Sequence, residues 1–188
     1  IDAEKLRELV GVGLNGGRGE IFRDANGDPA NQCLADSLLQ LLIHHGLLSS
    51  DIGEGDRREA CAENRRMFVA SGGPLQPRDR DAFSGQDAGV NPQAFLQHDV
   101  HAGPSVCFFM EWFRSRGLSV RELPAAGIVL TVHSRFDSAD LPPDRHEICV
   151  GVGRGVGGVL LFDLYNSTGT GVSGAHYDPL FPNSILVD

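Results

Sequence analysis

The feature that most constrains this chain is the apolar run CLADSLLQLLIHHGLL at residues 33–48. Its leucines recur every three to four residues, and few helix-breaking residues occur before Gly46. Apolar side chains would cover most sides of such a helix, whereas a surface helix carries them on one face only. The run therefore predicts a central, buried helix around which the other elements pack.

The remaining elements follow a simple order along the chain, with helical patterns first and strand-like runs afterwards. Helical spacing occurs in residues 2–10, 57–70 and 105–116, and Gly117 would end the last of these as a C-cap. Short runs rich in β-branched or aromatic residues follow at 127–132, 146–152 and 158–165. Helices followed by strands are typical of the α+β class rather than of alternating βαβ units.

Two stretches between these elements have turn or loop character. The glycine-rich run 151–158 precedes a strand, whereas a phosphate-binding loop opens a helix, so we interpret this run as a hairpin turn. The irregular segment 71–92 is longer than most loops in compact domains, and loops of that length usually carry function or move.

The length and charge of the chain limit its domain number and its partners. Its 188 residues predict a single domain, 1–188. With 16 Lys plus Arg against 25 Asp plus Glu, the net charge of −9 argues against nucleic acid or an anionic membrane as the main partner. No apolar run approaches the roughly 20 residues that span a bilayer. The chain begins at Ile1 with no signal-peptide pattern, so we expect a domain excised from a longer protein.

Four cysteines are scattered along the chain without a CxxC pair: Cys33, Cys61, Cys107 and Cys149. Disulfide scaffolds are smaller and denser in cysteine, and zinc sites need paired ligands at short spacing. We therefore expect no metal, and reduced thiols in a cytosolic, reducing compartment. Most of them would be small buried hydrophobic residues, and at most one would be reactive.

Cys33 is the candidate for the reactive thiol, because it lies between the polar turn DPANQ and the buried helix. The positive end of a helix dipole favours the thiolate, which is the nucleophilic form of cysteine. The unpaired N–H groups of the same turn would receive a developing oxyanion. A simple buried thiol is the alternative interpretation.

A candidate base for that nucleophile occurs near the other end of the chain. His176 follows a glycine-containing loop, and Asp178 lies two residues later. In an extended segment these two residues share a face, so the carboxylate would orient the imidazole. A cysteine nucleophile needs a histidine to take its proton and an acceptor to fix the tautomer of that histidine.

Together, the two segments resemble the ovarian-tumour (OTU) family of papain-like cysteine proteases. The matching boxes are NQCLADSL at 31–38 and HYDPL at 176–180, with a weaker likeness at 95–121 and 158–166 and none at 49–91. The resemblance implies a papain-like α+β fold in which a central buried helix carries the nucleophile and packs on a mainly antiparallel sheet. It implies a deubiquitinase-like isopeptidase that cleaves ubiquitin or a related modifier from conjugates without a cofactor.

The chain departs from the family at the position three residues before the nucleophile, where Ala30 replaces the usual Asp. That Asp supports the oxyanion loop in the family. Three readings follow from the departure: Asp28 substitutes from a longer loop, or Asn31 and Gln32 supply the polar support, or the chain belongs to a divergent branch.

Two alternatives to the Cys33–His176–Asp178 triad stay open at this point. His146 opens one strand-like run and Asp163 lies in the next, which resembles other papain-like enzymes, including bacterial effector proteases and deamidases. A modifier-binding module without turnover would also fit the loss of Asp at position 30. If the domain belongs to a microbial effector or toxin, it would act in the cytosol of another cell.

The other histidines carry weaker signals. His44 and His45 lie near the end of the predicted helix, where protonated imidazoles interact favourably with the dipole, so we interpret them as caps. His98 and His101 have helical i, i+3 spacing, but no third ligand lies nearby in the sequence, which argues against a metal site.

Overall fold

The computed structural model describes residues 32–71, 97–124, 127–133, 138–140, 142–148, 158–166 and 177–181. Within them the chain forms the elements α1 (Cys33–His44), α2 (Glu54–Ser71), α3 (Gln97–Ser115), β1 (Ile128–His133), β2 (Asp144–Ile148), β3 (Leu160–Asn166) and β4 (Tyr177–Leu180). Helices followed by strands confirm the predicted α+β class. The predicted helix at 2–10, the segment 72–92 and Cys149 lie outside the described residues.

The strands form a mixed sheet in the order β2-β1-β3-β4. Strand β1 pairs with β2 in antiparallel and with β3 in parallel orientation, and β3 pairs with β4 in antiparallel orientation. Because β1 lies between β2 and β3, the strands that flank the glycine-rich run are not paired with each other. The interpretation of that run as a hairpin turn is therefore wrong.

Helix α1 occupies the centre of the core, as its sequence predicts. Its fully buried leucines are Leu38, Leu39, Leu41 and Leu42. They pack among Phe109 and Phe113 of α3 and Phe162 of β3, which are buried in the same cluster. Other elements cover α1 on several sides, and a helix in such a position has almost no polar face.

Helix α1 ends at His44, because the chain turns sharply at Gly46, whose φ is +74°. The N–H groups of Gly46 and Leu47 donate to the carbonyl oxygens of Ile43 and Leu42 at 3.0 Å, which completes a Schellman cap. The predicted cap at Gly117 is confirmed by the same geometry, with φ at +79°.

The other two helices begin earlier than their patterns predict. Helix α2 starts at Glu54 rather than at position 57, because the Asp56 carboxylate accepts the N–H of Gly53 at 3.1 Å and caps the first turn. Helix α3 starts at Gln97 and continues through Pro104. A helix-interior proline removes one backbone hydrogen bond, and burial of the flanking apolar residues favours the helix nevertheless. No helix in the described part of the chain is both long and apolar enough to cross a membrane.

Buried polar contacts fix how the helices pack against one another. The Asp36 carboxylate of α1 is fully buried and accepts hydrogen bonds from Arg57 Nε of α2 at 2.9 Å and from Gln40 Nε2 at 2.6 Å. Between α2 and α3, Asn64 Nδ2 donates to Ser105 Oγ at 3.1 Å. A buried charge needs such partners, so Asp36 specifies how α1 and α2 meet.

Candidate functional site

Cys33 is the first residue of α1, and its side chain is half-buried. Gln32 precedes it as the N-cap residue, with its carbonyl oxygen accepting the N–H of Asp36 at 2.8 Å. The N–H groups of a first helical turn have no acceptor within the helix, and the helix dipole places partial positive charge there. This end of α1 therefore provides donors for a negative charge next to a sulfur atom.

The side chain of Gln32 adds an amide to the same end of the helix. Gln32 is only 6% exposed, and its Oε1 has no hydrogen-bond partner among the described residues. A buried amide oxygen without a partner is costly, and in native proteins a catalytic role or a bound water or ion is among the explanations for such a group. Of the predicted oxyanion residues, Gln32 alone lies in the described part of the chain, and Asp28 and Asn31 lie outside it.

Strand β4 lies against α1 and runs in the same direction. At its beginning, the carbonyl oxygen of Tyr177 accepts a hydrogen bond from Ser37 Oγ at 3.1 Å. Just beyond its end, the Phe181 ring lies 4.8 Å from the ring of His44. From Ser37 to His44 the helix rises about 10 Å, and from Tyr177 to Phe181 the strand extends about 13 Å. The similar lengths fit a strand that runs alongside the helix between these two contacts.

This direction decides which end of α1 the C-terminal box approaches. His176 lies outside the described residues, but it is covalently joined to Tyr177, and consecutive α-carbons are about 3.8 Å apart. Ser37 is one helical turn from Cys33, about 6 Å along the axis. The beginning of β4 therefore lies beside the half of α1 that carries Cys33, and its end lies beside the other half.

Asp178, which is expected to orient the imidazole, is the second residue of β4, and Asn166 of β3 lies across from the first. Asp178 is partly exposed between the buried residues Tyr177 and Pro179. In the β3–β4 register Asp178 pairs with Tyr165, and Asn166 pairs with Tyr177. Asp178 is thus two residues after His176 in the sequence. Asn166 lies directly across the ladder from Tyr177, the residue that follows His176.

Asp163 contacts His133, a histidine that the sequence analysis did not single out. His133, the last residue of β1, has its Nε2 2.8 Å from Asp163 Oδ1, and both side chains are mostly buried. The two residues share a face because β1 and β3 are parallel and Thr131 is in register with Asp163. The alternation of β1 places His133 on that face, but the parallel pairing cannot be read from the chain.

The alternative triad expected His146 and Asp163 on neighbouring strands, and that expectation is wrong. His146 is in β2, opposite Leu130 of β1, so one whole strand separates it from Asp163 in β3. Moreover, Phe162, the residue before Asp163, stacks on the ring of His45 at 5.0 Å, so this part of β3 lies near the C-terminal end of α1. That end is about 18 Å along the helix axis from Cys33.

As predicted, His44 lies in the last turn of α1 and His45 is its C-cap residue, but both rings pack against aromatic side chains. The His44 ring contacts Phe181, and the His45 ring stacks on Phe162, with its Nε2 buried and without a partner among the described residues. Burial lowers the pKa of both imidazoles; His44 lowers the pKa of His45 further, and Asp163 opposes that change. Their environment disfavours the charged form that capping of the dipole requires.

The described thiols differ in burial. Cys61 is fully buried in the core, where burial, then Asp36, raises the pKa of its thiol well above the ordinary value. Cys107 is exposed on α3, and partial desolvation together with Glu111 raises the pKa of its thiol. Cys107 departs from the expectation that most thiols are buried.

No group of three His, Cys, Asp or Glu side chains that would hold a metal ion occurs among the described residues. The arrangement at the N-terminal end of α1 instead combines a thiol, backbone N–H groups and a buried amide, which is suited to nucleophilic chemistry at a carbonyl. Comparison of the chain with protein-family models, with curated proteins and with solved structures finds no match.

Proposed function

We propose that this protein is a cysteine isopeptidase of OTU type with a papain-like fold. Its substrates would be conjugates of ubiquitin or a ubiquitin-like modifier, and the reaction would need no cofactor. The triad consists of Cys33 as nucleophile, His176 as base and Asp178, or Asn166, as the group that orients the imidazole. The observation that carries the proposal is the hydrogen bond between Ser37 of α1 and Tyr177 of β4.

That contact supports the triad because it joins the two sequence boxes in space. Cys33 is one turn from Ser37, and His176 is the residue before Tyr177. The parallel course of α1 and β4 brings the start of the strand to the nucleophile's end of the helix, not to the opposite end. Asp163 has a different partner, His133, and lies toward the far end of α1.

The reaction proceeds in two acyl-transfer steps. His176 takes the Cys33 proton, and the thiolate attacks the carbonyl carbon of the bond that joins the modifier's C-terminus to a lysine amine. The imidazolium then protonates the leaving amine, which leaves a thioester on Cys33. A water molecule, deprotonated by His176, hydrolyses that thioester and frees the modifier's carboxylate and the thiol.

The tetrahedral oxyanion forms beside the N-terminal turn of α1. The Cys33 backbone N–H and donors from the Asp28–Gln32 loop stabilise it, and a rotation of the buried Gln32 amide would present its NH₂ group. The net charge of −9 favours a basic partner face, which ubiquitin-like modifiers can present. Salt would weaken that steering. The reduced nucleophile suits a cytosolic compartment, including a host cytosol if the domain is a microbial effector.

A ubiquitin probe with an electrophilic C-terminus tests the proposal. We expect the wild-type protein to form a covalent adduct, and Cys33→Ala and His176→Ala to lose it while keeping the wild-type circular dichroism spectrum. Removal of a triad member typically lowers turnover by about 10⁴-fold or more. His146→Ala is the matched histidine control and should react like the wild type.

Other outcomes would redirect the assignment. Loss of the adduct in His146→Ala but not in His176→Ala would select the alternative base. Full labelling of Cys33→Ala would refute the nucleophile. Specific binding of ubiquitin without an adduct would leave a modifier-binding module. A parallel panel of probes made from ubiquitin-like proteins identifies the modifier.

A further inference from the structure

Ser37 is a polar residue at a fully buried position of α1. Its Oγ lies 2.6 Å from the carbonyl oxygen of Cys33, one turn earlier in the helix, and 3.1 Å from the carbonyl oxygen of Tyr177. Alanine has the higher helix propensity and would not bury a hydroxyl. The serine therefore needs an explanation from its contacts.

Both contacts have the hydroxyl as donor, because a carbonyl oxygen can only accept. A serine hydroxyl carries one hydrogen, so it is shared between the two oxygens or alternates between them. A bond to the carbonyl four residues earlier is common for serine in helices and requires no special role. The bond to Tyr177 is different, since it connects positions 140 residues apart and is buried on both sides.

The two acceptors belong to the two segments that the proposed reaction must bring together. One is the carbonyl of the nucleophile Cys33 itself, and the other belongs to the residue directly after the base His176. We infer that Ser37 is a positioning residue that sets the spacing between the thiol of Cys33 and the imidazole of His176. This inference rests on the function proposed above, and its test separates the two.

The expected consequence of losing the tether is catalytic rather than structural. Nucleophile and base must stay within hydrogen-bond reach, and a displacement of about 1 Å can lower the rate by about 100-fold. Removing one neutral hydrogen bond costs stability when the remaining partner is buried, but less than the usual stability of a domain, so Ser37→Ala should still fold.

A second buried serine provides a matched control. Ser105 of α3 is also almost fully buried, and its Oγ accepts a hydrogen bond from Asn64 Nδ2 at 3.1 Å. Its bond joins α3 to α2 rather than α1 to β4. Ser105→Ala therefore makes the same chemical change at a comparable burial, without touching the tether.

The experiment compares the wild type, Ser37→Ala and Ser105→Ala in two assays. The first measures kcat and KM for hydrolysis of ubiquitin that carries a fluorogenic amine at its C-terminus. The second follows alkylation of Cys33 by iodoacetamide across the pH range in which thiols titrate, by peptide mapping. The second assay needs no modifier.

We expect Ser37→Ala to lower kcat by about 10- to 100-fold with KM within about twofold of the wild type. The alkylation profile of Cys33 should move toward higher pH, because the imidazole that promotes the thiolate is less well placed. Ser105→Ala should keep kcat and the profile within about twofold of the wild type.

Two results would overturn the positioning role. One is an unchanged kcat and alkylation profile in Ser37→Ala, and the other is an equal loss in Ser105→Ala. If the wild type does not hydrolyse the ubiquitin substrate but Ser37→Ala still shifts the alkylation profile, the positioning role stands and the ubiquitin assignment fails. Normal hydrolysis in every variant with identical profiles would leave the proposed function and remove the role of Ser37.

Discussion

The two ends of α1 place their titratable side chains in different surroundings, polar at the beginning and aromatic at the end. At its beginning, Cys33 is half-buried beside backbone donors, and Ser37 binds across to β4. At its end, the rings of His44 and His45 pack on Phe181 and Phe162. The difference teaches that one buried helix offers its titratable side chains two distinct environments. Polar partners are available at one end, and aromatic burial suppresses charge at the other.

The largest expected effect comes from the ion pair that holds the first end of α1 against α2. Arg57→Ala removes the guanidinium that α2 places against the fully buried Asp36 carboxylate, and breaking such a pair costs about 3 kcal/mol of unfolding free energy. Chemical denaturation measures the loss. The neighbouring Arg58 is the control, since its exposed pair with Glu54 contributes about 0–1 kcal/mol. Equal losses for Arg57→Ala and Arg58→Ala would contradict the role of the buried pair.

A smaller effect distinguishes the thiol at the beginning of α1 from the other described thiols. Near neutral pH, we expect iodoacetamide to label Cys33 at least about tenfold faster than Cys107 or Cys61, because only thiolates react and the pKa values of the latter two thiols are raised. Time-resolved peptide mapping gives the three rates in one sample. Equal labelling of Cys33 and Cys107 would show that the helix N-terminus does not activate the sulfur.

The smallest effect concerns the imidazoles at the other end. Burial holds the pKa of His45 below its ordinary value of 6.5, so the unfolded chain binds a proton at this site before the folded protein does. Stability from this group is complete above about pH 6.5 and falls as the pH drops below it. His45→Phe keeps a ring against Phe162 and removes the titration.

We therefore expect the stability of His45→Phe to fall less than that of the wild type between neutral and mildly acidic pH. Denaturation at several pH values measures the difference, in a buffer of constant ionic strength. The groups that face His45 are His44, which lowers its pKa, and Asp163, which opposes the change. An unchanged pH dependence would mean that the stacked ring titrates as it does in the unfolded chain.

The helices and strands could be predicted because they depend on interactions between residues close together in the sequence. The spacing of the leucines predicted the burial of α1, Gly117 predicted the end of α3, and β-branched and aromatic residues predicted β1 and β3. Boundaries were less predictable where a distant residue decides them, as with the start of α3. There the proline and glycine argue for a later start, and burial of Ala102 and Val106 extends the helix upstream.

The candidate site divides in the same way. Cys33 and the box at 176–180 could be picked out because each has its chemistry in adjacent residues. The pairing of His133 with Asp163 could not, because it depends on a parallel β1–β3 pairing that no local pattern encodes. For the same reason, His146 and Asp163 looked like neighbours along the chain although β1 separates their strands.

By itself, the sequence determined the buried helix, the α+β class and the candidate residues for thiol chemistry, because hydrophobic spacing and side-chain chemistry are local properties. Only the tertiary structure decided which end of that helix meets which strand, because strand order and direction arise from contacts between residues far apart in the chain. The hydrogen bond between Ser37 and Tyr177 is the contact that shows which part of the helix lies beside the beginning of β4.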